Sequence, residues 1–218
     1  MGENEMKPTV IVYIDGFNMY RRLVEKTPYK WLNVAAMCDM LLPEYEVIKV
    51  KYFTANVSSE PHDPDQPMRQ QMYFRALKTE TRVELIFGKF DARPRWFPAY
   101  PWKYKKNGDT FMRRIFLAKE KGSDVNLASH LVRDSLRGYA DAYVIATSDS
   151  DQVGPLKMLL DENVGILGAI VTTNSKSKEI LGLNLPLVKT IREGVLASSQ
   201  FPDQLVDQHG IITKPKSW

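Results

Sequence analysis

The 218-residue chain has a single cysteine, Cys38, so no disulfide can form within it. Its three histidines, His62, His130 and His209, show no ligand spacing, which removes the usual zinc motifs. Neither G-x-x-x-x-G-K-[ST] nor G-x-G-x-x-G occurs, so nucleotide binding through those loops has no support. No apolar run approaches the roughly 20 residues of a membrane-spanning helix. Met1-Gly2-Glu3-Asn4-Glu5 lacks the basic and apolar regions of a secretory leader, and Met6 stands where myristoylation of Gly2 would need Ser or Thr. These absences predict a reduced, cytoplasmic protein.

What is present is ordinary in amount and uneven in placement. A 44% hydrophobic and 26% charged composition suits a globular chain, and the length suffices for one α/β domain with its own core. The net charge is +4, yet Lys89 to Lys121 holds ten basic residues and three acids, a local +7 that leaves −3 for the remainder. Such an excess points to an anionic partner for one face.

Val10-Ile11-Val12-Tyr13-Ile14 is a β-branched, apolar run that stops at Asp15-Gly16, and Ala142-Tyr143-Val144-Ile145-Ala146 leads likewise into Thr147-Ser148-Asp149-Ser150-Asp151. Both read as strands buried on two faces, at whose carboxyl ends parallel sheets collect ligands. Between and after them, helices are expected over Phe17–Lys26, Val34–Leu42 (capped by Asn33), Met68–Leu77, Ser123–Leu136, Pro155–Asn163 and Ser175–Leu181. Strands are expected over Glu46–Ala55, Arg82–Lys89, Val164–Val171 and, at an edge, Leu185–Ile191. The mostly alternating order predicts a three-layer α/β/α sandwich with a mainly parallel sheet. Residues 8–192 read as one domain and 193–218 as an unassigned tail. Ala92–Asp109, with Pro94, Pro98 and Pro101 among its aromatics, reads as a protruding loop or irregular hairpin that returns as a strand through Thr110–Ala118. Its core, at about 92–110, is a basic aromatic insertion ending at the turn signal Asn107-Gly108.

Asp15, Asp124, Asp149 and Asp151 form the candidate site. Carboxylates crowded at a sheet's edge repel one another and gain from a shared cation; all-oxygen ligation suits Mg²⁺ or Mn²⁺. Taken alone, Asp124 or Asp151 reads equally as a helix cap, Asp15 as a turn residue, and Asn18 as a local cap. Asp-x-Asp also occurs in transferases that hold a nucleotide diphosphate through Mn²⁺.

Tyr13-Ile14-Asp15-Gly16-Phe17-Asn18-Met19-Tyr20 resembles the opening motif of the NYN domains, a branch of the PIN-like nuclease superfamily. Ile145-Ala146-Thr147-Ser148-Asp149-Ser150-Asp151, followed by Pro155-Leu156, is similar to the closing motif of that family. Lys121-Gly122-Ser123-Asp124-Val125 resembles its middle motif, "KGVD", with Ser123 in place of the usual aliphatic residue. The LabA-like branch is the nearest match, over about Val10 to Val171. The resemblance implies a PIN-like fold, Asp15, Asp124, Asp149 and Asp151 as metal-site acids, and Asn18 and Ser148 as accessory polar positions. It also implies metal-dependent cleavage of RNA by an endoribonuclease, a hydrolase; the alternative is a non-catalytic RNA-binding protein that keeps the fold.

The basic aromatic segment matches none of these motifs. Trp96 and Trp102 could stack on unpaired bases while Arg93, Arg95, Lys103, Lys105 and Lys106 track phosphates, which favours single-stranded RNA. Alternatively its aromatics pack on their own domain or join copies of the chain into a homo-oligomer.

Overall fold

In the computed structural model, residues 6–59, 62–172 and 177–218 are described. The chain opens with β1 (Thr9–Asp15), α1 (Gly16–Met19) continued by a π-helical turn (Tyr20–Val24), α2 (Val34–Leu41), β2 (Glu46–Thr54), α3 (Gln66–Lys78) and β3 (Val83–Phe87). A two-stranded interlude, β4 (Lys89–Pro98) and β5 (Met112–Lys121), precedes α4 (Ser123–Leu136). Then come β6 (Ala142–Ala146), a 3-10 turn (Ser150–Gln152), α5 (Val153–Asp161), β7 (Ile166–Thr172), α6 (Lys178–Leu181) and β8 (Leu187–Ile191). The chain closes with α7 (Glu193–Ser198) and the hairpin β9 (Gln204–Asp207) and β10 (Gly210–Thr213).

Six strands form one sheet in the order β3-β2-β1-β6-β7-β8, and every pairing is parallel. Alternation along β1 assigns Val10, Val12 and Ile14 to the core under α2 and α3, and Ile11 and Tyr13 to the core under α4 and α5. The sheet is thus the middle of three layers, as parallel sheets require. Progression runs outward from β1 through β2 to β3, and on the other side from β6 through β7 to β8. The topological switch point therefore lies between β1 and β6, where open α/β sheets bind their ligands.

Local rules account for most element ends. Asn33 Oδ1 accepts from the backbone N–H of Ala35 and Ala36 at 3.0 and 3.1 Å, capping α2 as its sequence position predicts. The helix expected from Phe17 is regular only to Met19; it then widens into the π-turn, with Glu25 N–H donating to the Tyr20 carbonyl at 2.9 Å. The helix expected from Ser175 is seen as Lys178–Leu181, since residues 173–176 lie outside those described.

Two regions differ from expectation. The segment from Lys89 is a regular antiparallel ribbon whose register runs unbroken from Lys89↔Lys121 to Pro98↔Met112. Pro94 and Pro98 are tolerated because both strands of a two-stranded ribbon are edges, where a missing N–H interrupts no second ladder. The tail is structured: Phe201 and Trp218 stand 6.0 and 6.1 Å from the buried Trp31, centroid to centroid, and Ile212 is fully buried. Arg75 on α3 holds Asp207 in a two-pronged ion pair, which fixes the terminal hairpin to the sheet's flank and draws the Asp207 carboxyl down to about 2.

Candidate functional site

Asp15 ends β1 and is almost entirely buried. Its Oδ1 accepts from the Asn18 backbone N–H at 3.0 Å, capping α1, and its Oδ2 accepts from the Thr147 hydroxyl at 2.9 Å. Thr147 also accepts from the Asp149 N–H at 3.1 Å, and Asp149 Oδ1 accepts from the Asp151 N–H at 3.0 Å. Asn18 Oδ1 accepts from the Ser148 N–H at 3.1 Å. Strands β1 and β6 are direct neighbours, so the two loops are laced together across the switch point. Asp15, Asn18, Ser148, Asp149 and Asp151 are thereby brought to one edge of the sheet. Asp15 and Asp149 act as caps, whereas the sequence alone suggests that role for Asp124 and Asp151.

Asp124 comes to the same edge from the first turn of α4, and Gln152 Nε2 donates to its backbone carbonyl at 3.3 Å. Burial, and then the negative charges of Asp15, Asp149, Glu120 and Asp151, push the Asp124 carboxyl up to about 6. Burial also raises Asp15; its bonds from Asn18 and Thr147 oppose the shift, and Asp149 and Glu120 add to it. The field of the other three candidate aspartates therefore meets at Asp124.

Glu120, Thr147 and Gln152 join the site without standing out in the sequence. Glu120 Oε1 accepts from the Ser123 N–H at 2.8 Å, so it both opens α4 and adds charge beside Asp124. Its spacing from Ser123 and Asp124, an acid just ahead of a helix start, is the signal that could have found it. Gly88 allows this junction: a Cβ there would lie 2.7 Å from both Glu120 Oε1 and the Lys121 carbonyl.

An edge with this much negative charge can hold a proton, on Asp124, or a cation. Among the described residues no three His, Cys, Asp or Glu side chains are arranged as a ready metal cage. Mg²⁺ does not need one: it keeps several waters and is bound by one or two carboxylates together with substrate phosphates. The all-oxygen donor set fits that ion or Mn²⁺, and Asp124 with Asp149 or Asp15 could hold it.

The ribbon rises from this cleft, with Phe90 at its base stacked on Phe17 after Asp15 (ring centroids 6.3 Å apart). Arg93 and Arg95 are both engaged by Asp91, whose carboxyl they hold below its usual range. Lys103, Lys105 and Lys106 are exposed near the tip. Trp96 and Trp102 are each 63% exposed, so neither is packed into its own domain. No described helix is long and apolar enough to cross a membrane.

No protein-family profile matches the chain. A relative from Pseudomonas putida, 6-hydroxy-3-succinoylpyridine 3-monooxygenase HspA, is 29% identical over 235 residues, covering 95% of this chain and 74% of that protein. A crystal structure of a protein of unknown function from Vibrio parahaemolyticus shares the fold, with a TM-score of 0.53 at 12% identity, over 88% of this chain and 98% of that one. The first comparison corrects one expectation. A relative that spans nearly the whole chain is an oxidoreductase, a different reaction class from the phosphodiester hydrolase that the motifs suggested.

Proposed function

We propose that the cleft at the β1–β6 switch point binds a divalent cation that engages a phosphate of single-stranded RNA, making this chain a cation-dependent RNA-binding protein with a PIN-like arrangement. The carrying observation is Asp124, which is partly buried in the field of Asp15, Asp149, Glu120 and Asp151 and is pushed up to about 6 by burial first and by those charges next. A cation relieves that repulsion, and a phosphate completes the coordination of Mg²⁺. Beside the cleft, the +7 segment supplies compensating charge for a polyanion, and its exposed tryptophans offer stacking surfaces. The three segments that resemble NYN motifs support the same reading.

Thermal melting with Mg²⁺, and RNA titration with Mg²⁺ or with a chelator, test it. Mg²⁺ should raise the melting temperature of the wild type and tighten RNA binding, and both gains should vanish in Asp124→Asn. Equal melting and equal affinity with and without the ion would remove the proposal.

The Pseudomonas relative favours a second reading: oxygenation of a hydroxypyridine carboxylic acid. Dioxygen uptake that depends on 6-hydroxy-3-succinoylpyridine, with a reduced nicotinamide or flavin supplied, would support it. No such uptake would remove it.

A further inference from the structure

A cavity of about 430 Å³ opens beside Asp15, bounded by Gly16, Phe17 and the π-turn on one side and by β2 and α3 on the other. Its volume falls within the roughly 300–1,000 Å³ typical of sites for small organic groups. Its walls are aromatic: Tyr20 comes from the π-turn, Tyr52 from β2 and Phe90 from the base of the ribbon. Tyr52 is buried and forms the floor, while Tyr20 and the Phe17–Phe90 pair remain partly exposed.

Two backbone features keep this space open. Gly16 lies so close to Tyr52 that a Cβ there would stand 2.5 Å from Cε1 of the ring, so the turn after Asp15 can rest on the floor only as glycine. The helix then widens at Tyr20–Val24, and such single π-turns occur frequently at functional sites. The charge inside is positive on balance: Arg21, Lys30 and Arg69 line the cavity against one acid, Glu25, and Arg69 is already paired with Asp63.

Aromatic faces and cationic side chains, in a cavity lined from Gly16 directly after Asp15, describe a receptor for a planar ring that carries an anionic group. We infer that this cavity takes one unstacked nucleobase of the bound strand, its ring against Tyr20 and Phe90 and its phosphate within the field of Arg21 and Lys30. The inference rests on the RNA reading above. It adds that the site reads a base as well as a backbone, through the π-face that every base presents.

Paired titrations test it. An eight-nucleotide oligoribonucleotide and a ribose-phosphate chain of equal length without bases are each titrated, in Mg²⁺, into the wild type, Tyr20→Ala, Phe90→Ala and Tyr20→Phe. The wild type should prefer the base-bearing strand. Tyr20→Ala and Phe90→Ala should each weaken that strand by about 5- to 150-fold, the range expected for removal of one stack, and leave the abasic chain unchanged. Tyr20→Phe, which keeps the ring, should retain the preference, and melting curves confirm that each variant is folded. If the base-bearing strand binds but the alanine variants weaken neither chain, or both alike, the pocket is overturned and the RNA reading stands. If the wild type binds neither chain, the RNA reading fails and the pocket falls with it.

Discussion

Thr147 donates its hydroxyl to Asp15 at 2.9 Å, joining the ends of two neighbouring strands that lie 132 positions apart in the chain. The same oxygen receives the Asp149 N–H, so one threonine sets the spacing of two of the acids. Geometry at the cleft is therefore imposed by short polar links at the carboxyl end of a rigid sheet, and the repulsion it creates is felt most by Asp124.

Burial and that repulsion together have a pH signature. The folded-state value of Asp124, about 6, lies above the ordinary 3.8 of an aspartate, so the native state binds the proton more tightly than the unfolded chain. Without divalent cations, this group lowers stability at pH above 6, and the loss is recovered as pH falls from about 6 toward 4. Asp124→Asn should raise stability at pH 7.5 by on the order of 1 kcal/mol, less than the full shift implies at about 1.36 kcal/mol per pK unit because solvent screens the half-exposed carboxylate, and should flatten the profile in that window. Urea melts at stepped pH measure both.

Lys103, Lys105 and Lys106 project from the ribbon tip with the unpacked Trp102 close by. Replacing the three lysines by alanine should lower the log–log salt slope of RNA binding by roughly 0.7 for each phosphate no longer neutralised. Trp96→Ala and Trp102→Ala should each cost about 1–3 kcal/mol of affinity with little change in slope. If the tryptophans instead join copies of the chain, sedimentation will show a changed subunit count and RNA affinity will hold.

Further along α4 from Asp124, on the same side of the sheet, Lys51 of β2 and Asp134 form a buried ion pair, and Tyr13 OH donates to the same Asp134 oxygen at 2.9 Å. Arg133 completes the set on the other oxygen. Asp134→Asn leaves Lys51 buried without its counter-charge and should destabilise the fold by about 3–5 kcal/mol. Chemical denaturation checks the loss, and RNA affinity per folded molecule should be unchanged.

Phe201, 5% exposed, anchors the tail against Trp31. Phe201→Ala should cost about 3–5 kcal/mol, a core-sized penalty, in equilibrium melts. A destabilisation under about 1 kcal/mol would mean that the tail contributes little to the domain's stability.

The sheet is legible in the sequence where local chemistry decides. β-Branched runs that stop at Asp15 and before Asp149 mark two central strands, and Asn33 with Pro43 brackets α2. The ribbon is legible as a hairpin returning through a strand, but the regularity of its first strand is not, because prolines argue against a strand only where both edges are paired, and here neither outer edge is. The tail lacks periodicity because single anchors hold it, Phe201, Ile212 and Trp218, and no repeating face is present to detect. The cavity beside Asp15 is invisible for a different reason: Phe17, Tyr52 and Phe90 meet only after β1, β2 and the ribbon have been placed.

The ribbon leaves and re-enters the domain at one rung, Lys89 opposite Lys121, directly after Gly88 and just before α4. An appendage hinged on a single rung can be lengthened or shortened two residues at a time, one from each strand, without moving Glu120, Asp124 or any strand of the sheet. Reach and chemistry are thereby uncoupled. A shortened ribbon should therefore keep the acids in place while bringing the lysines at its tip closer to them.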